Sequence, residues 1–149
     1  MKKKRVRGVI IIFSILIIVF HICWFYNYSL YLHLTDGLDE FVKFQSYSIL
    51  EDNFIYHVKR PSYMSFTGNL AISTKDGEYT LIIWLSRFKS SKYGIILPIG
   101  NDRDESISLM IDKNLMTENE YDQIFIEENR EQIEELFYRA YVRWGDRIE

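Results

Sequence analysis

Side chains that could bind a metal or transfer a proton are thinly spread along this sequence. His33 and His57 each stand without a second ligand at metal-binding spacing. Residues 101–105 alternate oxygen donors, but they lack the glycine and the closing glutamate of a calcium loop. We expect a solvated loop there, with calcium binding as the alternative. We expect no catalytic residue, no metal site and no cofactor, so the protein is predicted not to be an enzyme; carboxylates that converge only in space are the alternative.

The charge is unevenly divided along the 149 residues, whose formal net charge is −3. Residues 1–8 carry five basic side chains and no acid, whereas residues 102–149 carry 14 acids against six bases. An acidic domain repels phosphate backbones and gains nothing from counterion release. We therefore expect no nucleic-acid partner. The length allows one ordinary domain.

The N-terminal region has the composition of a membrane anchor. Residues 9–26 are 18 uncharged and mostly apolar residues, and a helix of that length spans roughly 27 Å, close to the hydrocarbon thickness. The basic cluster before them should stay in the cytoplasm. We predict a cytoplasmic segment (1–8), a single transmembrane anchor (9–28) and an extracytoplasmic domain (35–149) at the cell membrane. The predicted interfacial aromatic belt is Trp24, Phe25, Tyr26, Tyr28 and Tyr31.

Three other N-terminal segments fit the residues less well. A cleaved signal peptide needs small residues at its cleavage site. The residues at the C-terminal end of the apolar run all have large side chains. Bulky residues also precede Cys23, where a lipoprotein would have small ones. A pilin-like start would place a glutamate where Phe13 stands. His21, near the outer end, is interpreted as a structural side chain that reaches toward the interface, with an intramembrane functional role as the alternative.

The remaining sequence predicts an α+β domain. Residues 38–53 have apolar side chains at helical spacing and predict a short helix, followed by strands over 65–74, 78–86, 93–99 and 106–112. Asp76 and Gly77 predict a hairpin turn, and Pro98 predicts a sheet edge or the end of pairing. The apolar stripe of the last helix is formed by Ile133, Leu136, Phe137, Ala140, Tyr141 and Trp144.

The predicted fold is therefore a single N-terminal transmembrane helix followed by a small antiparallel β-meander packed against a C-terminal amphipathic helix. The helix should cover the strand face that carries Tyr79, Leu81, Ile83 and Leu85. The opposite face mixes apolar, aromatic and small polar side chains, as protein interfaces do. The predicted partner-binding residues there are Asn69, Thr80, Ile82, Trp84, Ile96 and Met110, with Trp84 as the anchor. In the alternative, residues 38–63 fold back and bury this face.

The order of the predicted elements along the chain resembles that of a known protein family. The segment 68–81 (Gly-Asn-Leu-Ala-Ile-Ser-Thr-Lys-Asp-Gly-Glu-Tyr-Thr-Leu), the anchor before it and the acidic helix after it resemble the TipC family of immunity proteins of Gram-positive bacteria. The resemblance implies a membrane-anchored protein that binds and neutralises a secreted LXG-type antibacterial toxin. That toxin would act on the lipid-linked peptidoglycan precursor in interbacterial competition.

Two further expectations accompany this resemblance. The acidic C-terminal third would complement a basic patch on the toxin and speed association, which predicts a salt-sensitive association rate. The alternative function is an anchored structural or sensory subunit of a cell-envelope complex, whose sheet face binds a neighbouring membrane protein.

Overall fold

The N-terminal helix is the longest element of the chain. The computed structural model describes residues 2–86, 90–99 and 102–148, and it begins with α1 (Lys2–Leu32), which continues into a 3₁₀ turn (His33–Thr35). By length and composition α1 could cross a membrane, and the 18-residue window that qualifies is not buried by the rest of the protein. The domain itself follows this helix.

The domain is built on one antiparallel sheet of seven strands whose spatial order is the order of the chain. Each strand alternates inward and outward side chains, and short turns join most neighbours. One of these turns contains Gly77, whose φ of +80° is easy only for glycine. The strands are β1 (Asp39–Val42), β2 (Ser46–Glu51), β3 (Phe54–Lys59), β4 (Asn69–Thr74), β5 (Thr80–Trp84), β6 (Lys92–Ile99) and β7 (Asp102–Ile111).

The helix predicted over residues 38–53 is wrong, because this region forms β1 and β2. The helical spacing rested on residues such as Phe41 and Val42, and both are exposed. The stronger pattern is the alternation within β2, which pairs residue by residue with β3 from Ser46↔Lys59 to Glu51↔Phe54. Pairing along a whole strand buries more backbone and side-chain surface than an isolated short helix could.

The C-terminal strand pair differs from expectation in one place. Asp102 to Glu105 belong to β7, where a loop was expected, and Asn101 lies outside the described residues. Pro98 does not lie on an edge strand, since β6 runs between β5 and β7. It marks the end of pairing instead: β5 pairs with β6 only as far as Ile96. Proline has no N–H to give to a second neighbour.

Two helices close the fold, α2 (Glu120–Glu128) and α3 (Arg130–Trp144), followed by a 3₁₀ turn (Gly145–Ile148). The Asn119 side chain caps α2 by accepting from the backbone N–H of Tyr121. Most of the predicted stripe of α3 packs on the sheet face of Leu81 and Ile83, both fully buried, whereas Tyr141 of that stripe is 52% exposed. The buried stripe residues are Ile133, Leu136, Ala140 and Trp144. The α+β fold class is confirmed.

The end of α1 belongs to the core of the domain. Tyr31 and Leu34 are almost fully buried in the same apolar cluster as α3 and the sheet. The Tyr31 hydroxyl donates to the Leu85 carbonyl (3.3 Å), and the Trp144 indole N–H donates to the Leu34 carbonyl (3.2 Å). α1 and the domain are therefore joined by packing as well as by the chain.

Candidate functional site

The six predicted partner-binding residues share one face of the sheet, opposite α3. Strand register places Ala71, Ile82, Gly94 and Met110 in one cross-strand row. The neighbouring row contains Ser73, Thr80, Ile96 and Ser108. Asn69 and Trp84 lie on this same face by strand alternation. We call this surface of β3 to β7 the open face.

The Trp84 ring reaches over Gly94 on the open face. A Cβ placed on Gly94 would meet the Trp84 ring at 2.8 Å, so the indole occupies the space that a side chain at position 94 would need. The ring therefore stays half-buried and is held in place by a backbone surface. A large aromatic side chain held in this way loses little freedom when it enters an interface.

No described helix or strand packs over the centre of the open face, but the β7–α2 connection borders it, because Met116 and Asp122 line one cleft with Met110. Residues 38–63 do not fold back on it; their strands β1, β2 and β3 extend the sheet sideways. The face is consequently wider than predicted and includes Ile55 and His57 of β3, which pair with Ser73 and Ala71. Sequence reasoning missed these two residues, although Phe54 to Lys59 alternate in the strand pattern.

His57 lies on β3, at the edge of the open face. Its Nε2 lies 3.2 Å from the Ser46 hydroxyl. Partial burial, followed by the positive charge of Lys59, holds the pKa of His57 below its usual value. A neutral imidazole can both donate and accept a hydrogen bond on this face, which also carries Lys59 and Lys92, the register partners of Asn69 and Trp84.

The acidic side chains of the last third lie mainly on the helix layer, behind the sheet. Part of this charge is neutralised locally: Arg130 pairs with Glu127 and Glu134, and Arg139 pairs with Glu135 at 2.7 Å. These groups flank the opposite side of the domain from Trp84. The ion-paired acidic side chains of α3 and Trp84 thus lie on opposite sides of the sheet, whereas Glu118 and Asp122 lie beside Met110 at the edge of the open face.

The described residues contain no group of three or more His, Cys, Asp or Glu side chains placed to hold a metal ion. A cleft of about 810 Å³ lies beside α3 and is lined in part by Tyr93, Asp112 and Phe137. Backbone N–H groups of Met116 and Asn114 hold the pKa of Asp112 below its usual value, and this reflects its role in closing a turn. The expectation that the protein is not an enzyme stays a prediction.

Comparison of this chain with protein-family models, with curated proteins and with solved structures gives no match. The resemblance to TipC immunity proteins therefore stays a prediction. The functional argument rests on the geometry of the open face and on the anchor helix.

Proposed function

We propose that this protein is a membrane-anchored, extracytoplasmic binding protein whose open face captures a protein partner. The observation that supports this most directly is a broad sheet face with Trp84 held across Gly94 and no described helix or strand covering its centre. The apolar centre and small polar surroundings resemble the core and rim of protein interfaces. The basic start of the chain favours an orientation with the domain outside the cell.

The partner that we propose is a secreted LXG-type toxin acting on the lipid-linked peptidoglycan precursor. In this function the protein is an immunity protein: it binds the catalytic part of the toxin one to one and blocks access to the precursor. The anchor concentrates the inhibitor on the membrane that contains the precursor. Confinement of this kind raises the effective concentration without any new contact.

The test is a binding titration with the full chain in lipid nanodiscs against the catalytic domain of candidate LXG toxins, with toxin activity measured in parallel. Trp84→Ala is the test variant and Tyr138→Ala is its control, because Tyr138 is an aromatic residue, 61% exposed, on α3 behind the sheet. We expect Trp84→Ala to weaken binding by at least about 2 kcal/mol, roughly 30-fold, as loss of an interface anchor does. Tyr138→Ala should bind like the wild type.

The outcomes separate the two candidate functions. One-to-one loss of toxin activity that depends on Trp84 supports immunity. Equal effects of the two variants would move the interface away from the open face. No binding across a panel of toxins, together with no protection of cells that express the full chain, would contradict immunity and favour the anchored subunit of an envelope complex.

A further inference from the structure

The connection between β3 and β4, residues 60–68, has an apolar tip that faces outward. Tyr63 is 65% exposed and Met64 is 64% exposed, and Met64 adopts a φ of +66° at the turn. Exposed large apolar side chains grouped at a loop tip usually meet another surface. We call this segment the β3–β4 loop.

The β3–β4 loop is fastened along one side of α1. The His21 ring donates from Nδ1 to the Ile17 carbonyl (2.8 Å), and its Nε2 lies at hydrogen-bond distance from the Tyr63 hydroxyl (2.7 Å). The Phe66 ring stands edge-on to Phe20, with 5.5 Å between centroids. The centroids of the Trp24 and Tyr63 rings are also 5.5 Å apart. The loop therefore descends beside α1 and does not project freely into solvent.

The depth of these contacts places the loop at the membrane. The apolar run of α1 ends at Tyr26, and Phe20 lies roughly 9 Å below that end at about 1.5 Å of rise per residue. His21 and Trp24 lie between the two levels. Interfacial protein segments sit about 5–10 Å into the boundary between headgroups and acyl chains. The loop that contacts these residues spans the same depth.

Several backbone polar groups of the β3–β4 loop form hydrogen bonds within the protein and do not depend on water. The Trp24 indole N–H donates to the Ser62 carbonyl (3.1 Å), and the Asn27 amide donates to the Phe66 carbonyl (2.9 Å). Within the loop, the Ser65 N–H donates to the Ser62 carbonyl at 2.9 Å. Irregular backbone is tolerated near lipid only where its polar groups are paired, and the anchor helix itself supplies two of these partners.

We propose that the β3–β4 loop inserts Tyr63 and Met64 into the interfacial region of the outer leaflet. The domain then has a second attachment to the bilayer, beside α1, and is held in one orientation. The occupant is lipid because the tip is continuous with the apolar surface of α1. This inference rests on the anchored, extracytoplasmic placement in the proposed function. It adds that the open face is presented at a fixed angle to the membrane.

The test uses the full chain in vesicles of phosphatidylcholine and phosphatidylglycerol, with Cys23→Ser removing the single cysteine. A polarity-sensitive fluorophore is attached to one new cysteine at a time: Met64→Cys, Met116→Cys or Ile15→Cys. Met116 is the matched control, a methionine of the domain that is 52% exposed and far from α1 in the chain. Ile15 reports the middle of the anchor. Quenching by nitroxide carried shallow or deep in the acyl chain gives the depth of each label.

We expect the label at position 64 to be blue-shifted and quenched at least about twofold more than the label at 116, chiefly by the shallow nitroxide, as an interfacial segment would be. The label at 15 should respond to the deep nitroxide. If 64 behaves like 116 while 15 is quenched, the loop proposal is overturned and the anchor stands. If 15 is not quenched either, the anchor fails, and the proposed function fails with it.

Discussion

At the scale of single residues, the open face depends on small side chains as much as on large ones. Gly94 leaves the space that the Trp84 ring fills, and the side chains of Ala71, in the same cross-strand row, and Ser73, in the next row, are also small. An aromatic ring over a strand glycine compensates for the missing side chain and protects the backbone. The shape of the open face is thus set by the small residues of β4 and β6.

Gly94→Ala should destabilise the protein because the new methyl group would meet the Trp84 ring at 2.8 Å. We expect a loss of about 1–2 kcal/mol of unfolding free energy, typical of overpacking. Chemical denaturation of the full chain in detergent measures it. In a Trp84→Ala background the same substitution should cost almost nothing. A cost that persists there would show that the ring does not occupy this space.

His57 should make stability fall with acidification. Its pKa is lowered in the folded protein, so the unfolded chain takes up the proton first as the pH drops through the usual histidine value of about 6.5. Stability is therefore complete above that pH and declines below it, toward the lowered folded pKa. His57→Asn should have a flatter stability profile than the wild type between about pH 7 and pH 5. Identical slopes in thermal unfolding would contradict this account.

At the scale of elements, the end of α1 packs closely on the end of the β3–β4 loop. Gly68 allows it: a Cβ there would lie 2.6 Å from the Lys59 carbonyl oxygen and 2.8 Å from the Tyr31 ring. Both neighbours are fixed, one by its strand and the other by burial in the core. This position consequently couples the anchor helix to the domain.

Gly68→Ala should cost about 2–3 kcal/mol, at the upper end of overpacking because backbone must move. Tyr31→Phe, which removes only the hydroxyl bonded to the Leu85 carbonyl, should cost about 1 kcal/mol. Unfolding of both variants by denaturant in detergent gives the comparison. If Gly68→Ala were the milder change, the close approach of α1 to the β3–β4 loop would be refuted.

At the scale of the whole molecule, the domain core extends into α1, the helix that could span a membrane. Tyr31 and Leu34 precede the predicted domain start at residue 35 and lie in the core. The ion-paired acidic side chains of α3 and the open face lie on opposite sides of the sheet. A helix and a sheet pack about 10 Å apart, which already exceeds the screening length of roughly 8 Å at physiological ionic strength.

A fragment that begins at Thr35 should not unfold cooperatively, because it lacks Tyr31 and Leu34. A fragment that begins at Trp24 keeps both residues and the hydrogen bond to Ser62, and it should show a cooperative thermal transition. Circular dichroism of the two fragments provides the measurement. Equal transitions in both would mean that the sheet and α3 are sufficient alone.

The affinity of a partner bound to the open face should depend little on the acidic side chains of the helices at physiological salt. Replacing Glu131 and Glu134 by Gln should leave its affinity within about twofold, since screening removes most of the interaction over that distance. Association rates at several salt concentrations test this. A strong salt dependence that these substitutions abolish would place the partner on the helix layer, as the charge pattern alone suggested.

The sequence by itself determined the features that depend on local periodicity. Apolar spacing predicted the stripe of α3, strand alternation predicted that Ile82, Trp84 and Met110 share a face, and composition predicted the helix that could span a membrane. These patterns need only neighbours in the chain. Predictions made from them therefore do not depend on contacts with distant parts of the chain.

The tertiary structure decided what depends on distant partners. Residues 39–51 form strands because β3 is available to pair with them, and local spacing alone favoured a helix. Tyr63 and Phe66 meet α1 about 40 positions away in the chain, and no local pattern encodes that contact. The separation of the acidic side chains of α3 from the open face is likewise set by which side of the sheet α3 buries, since a sheet has two faces and helix packing covers only one of them.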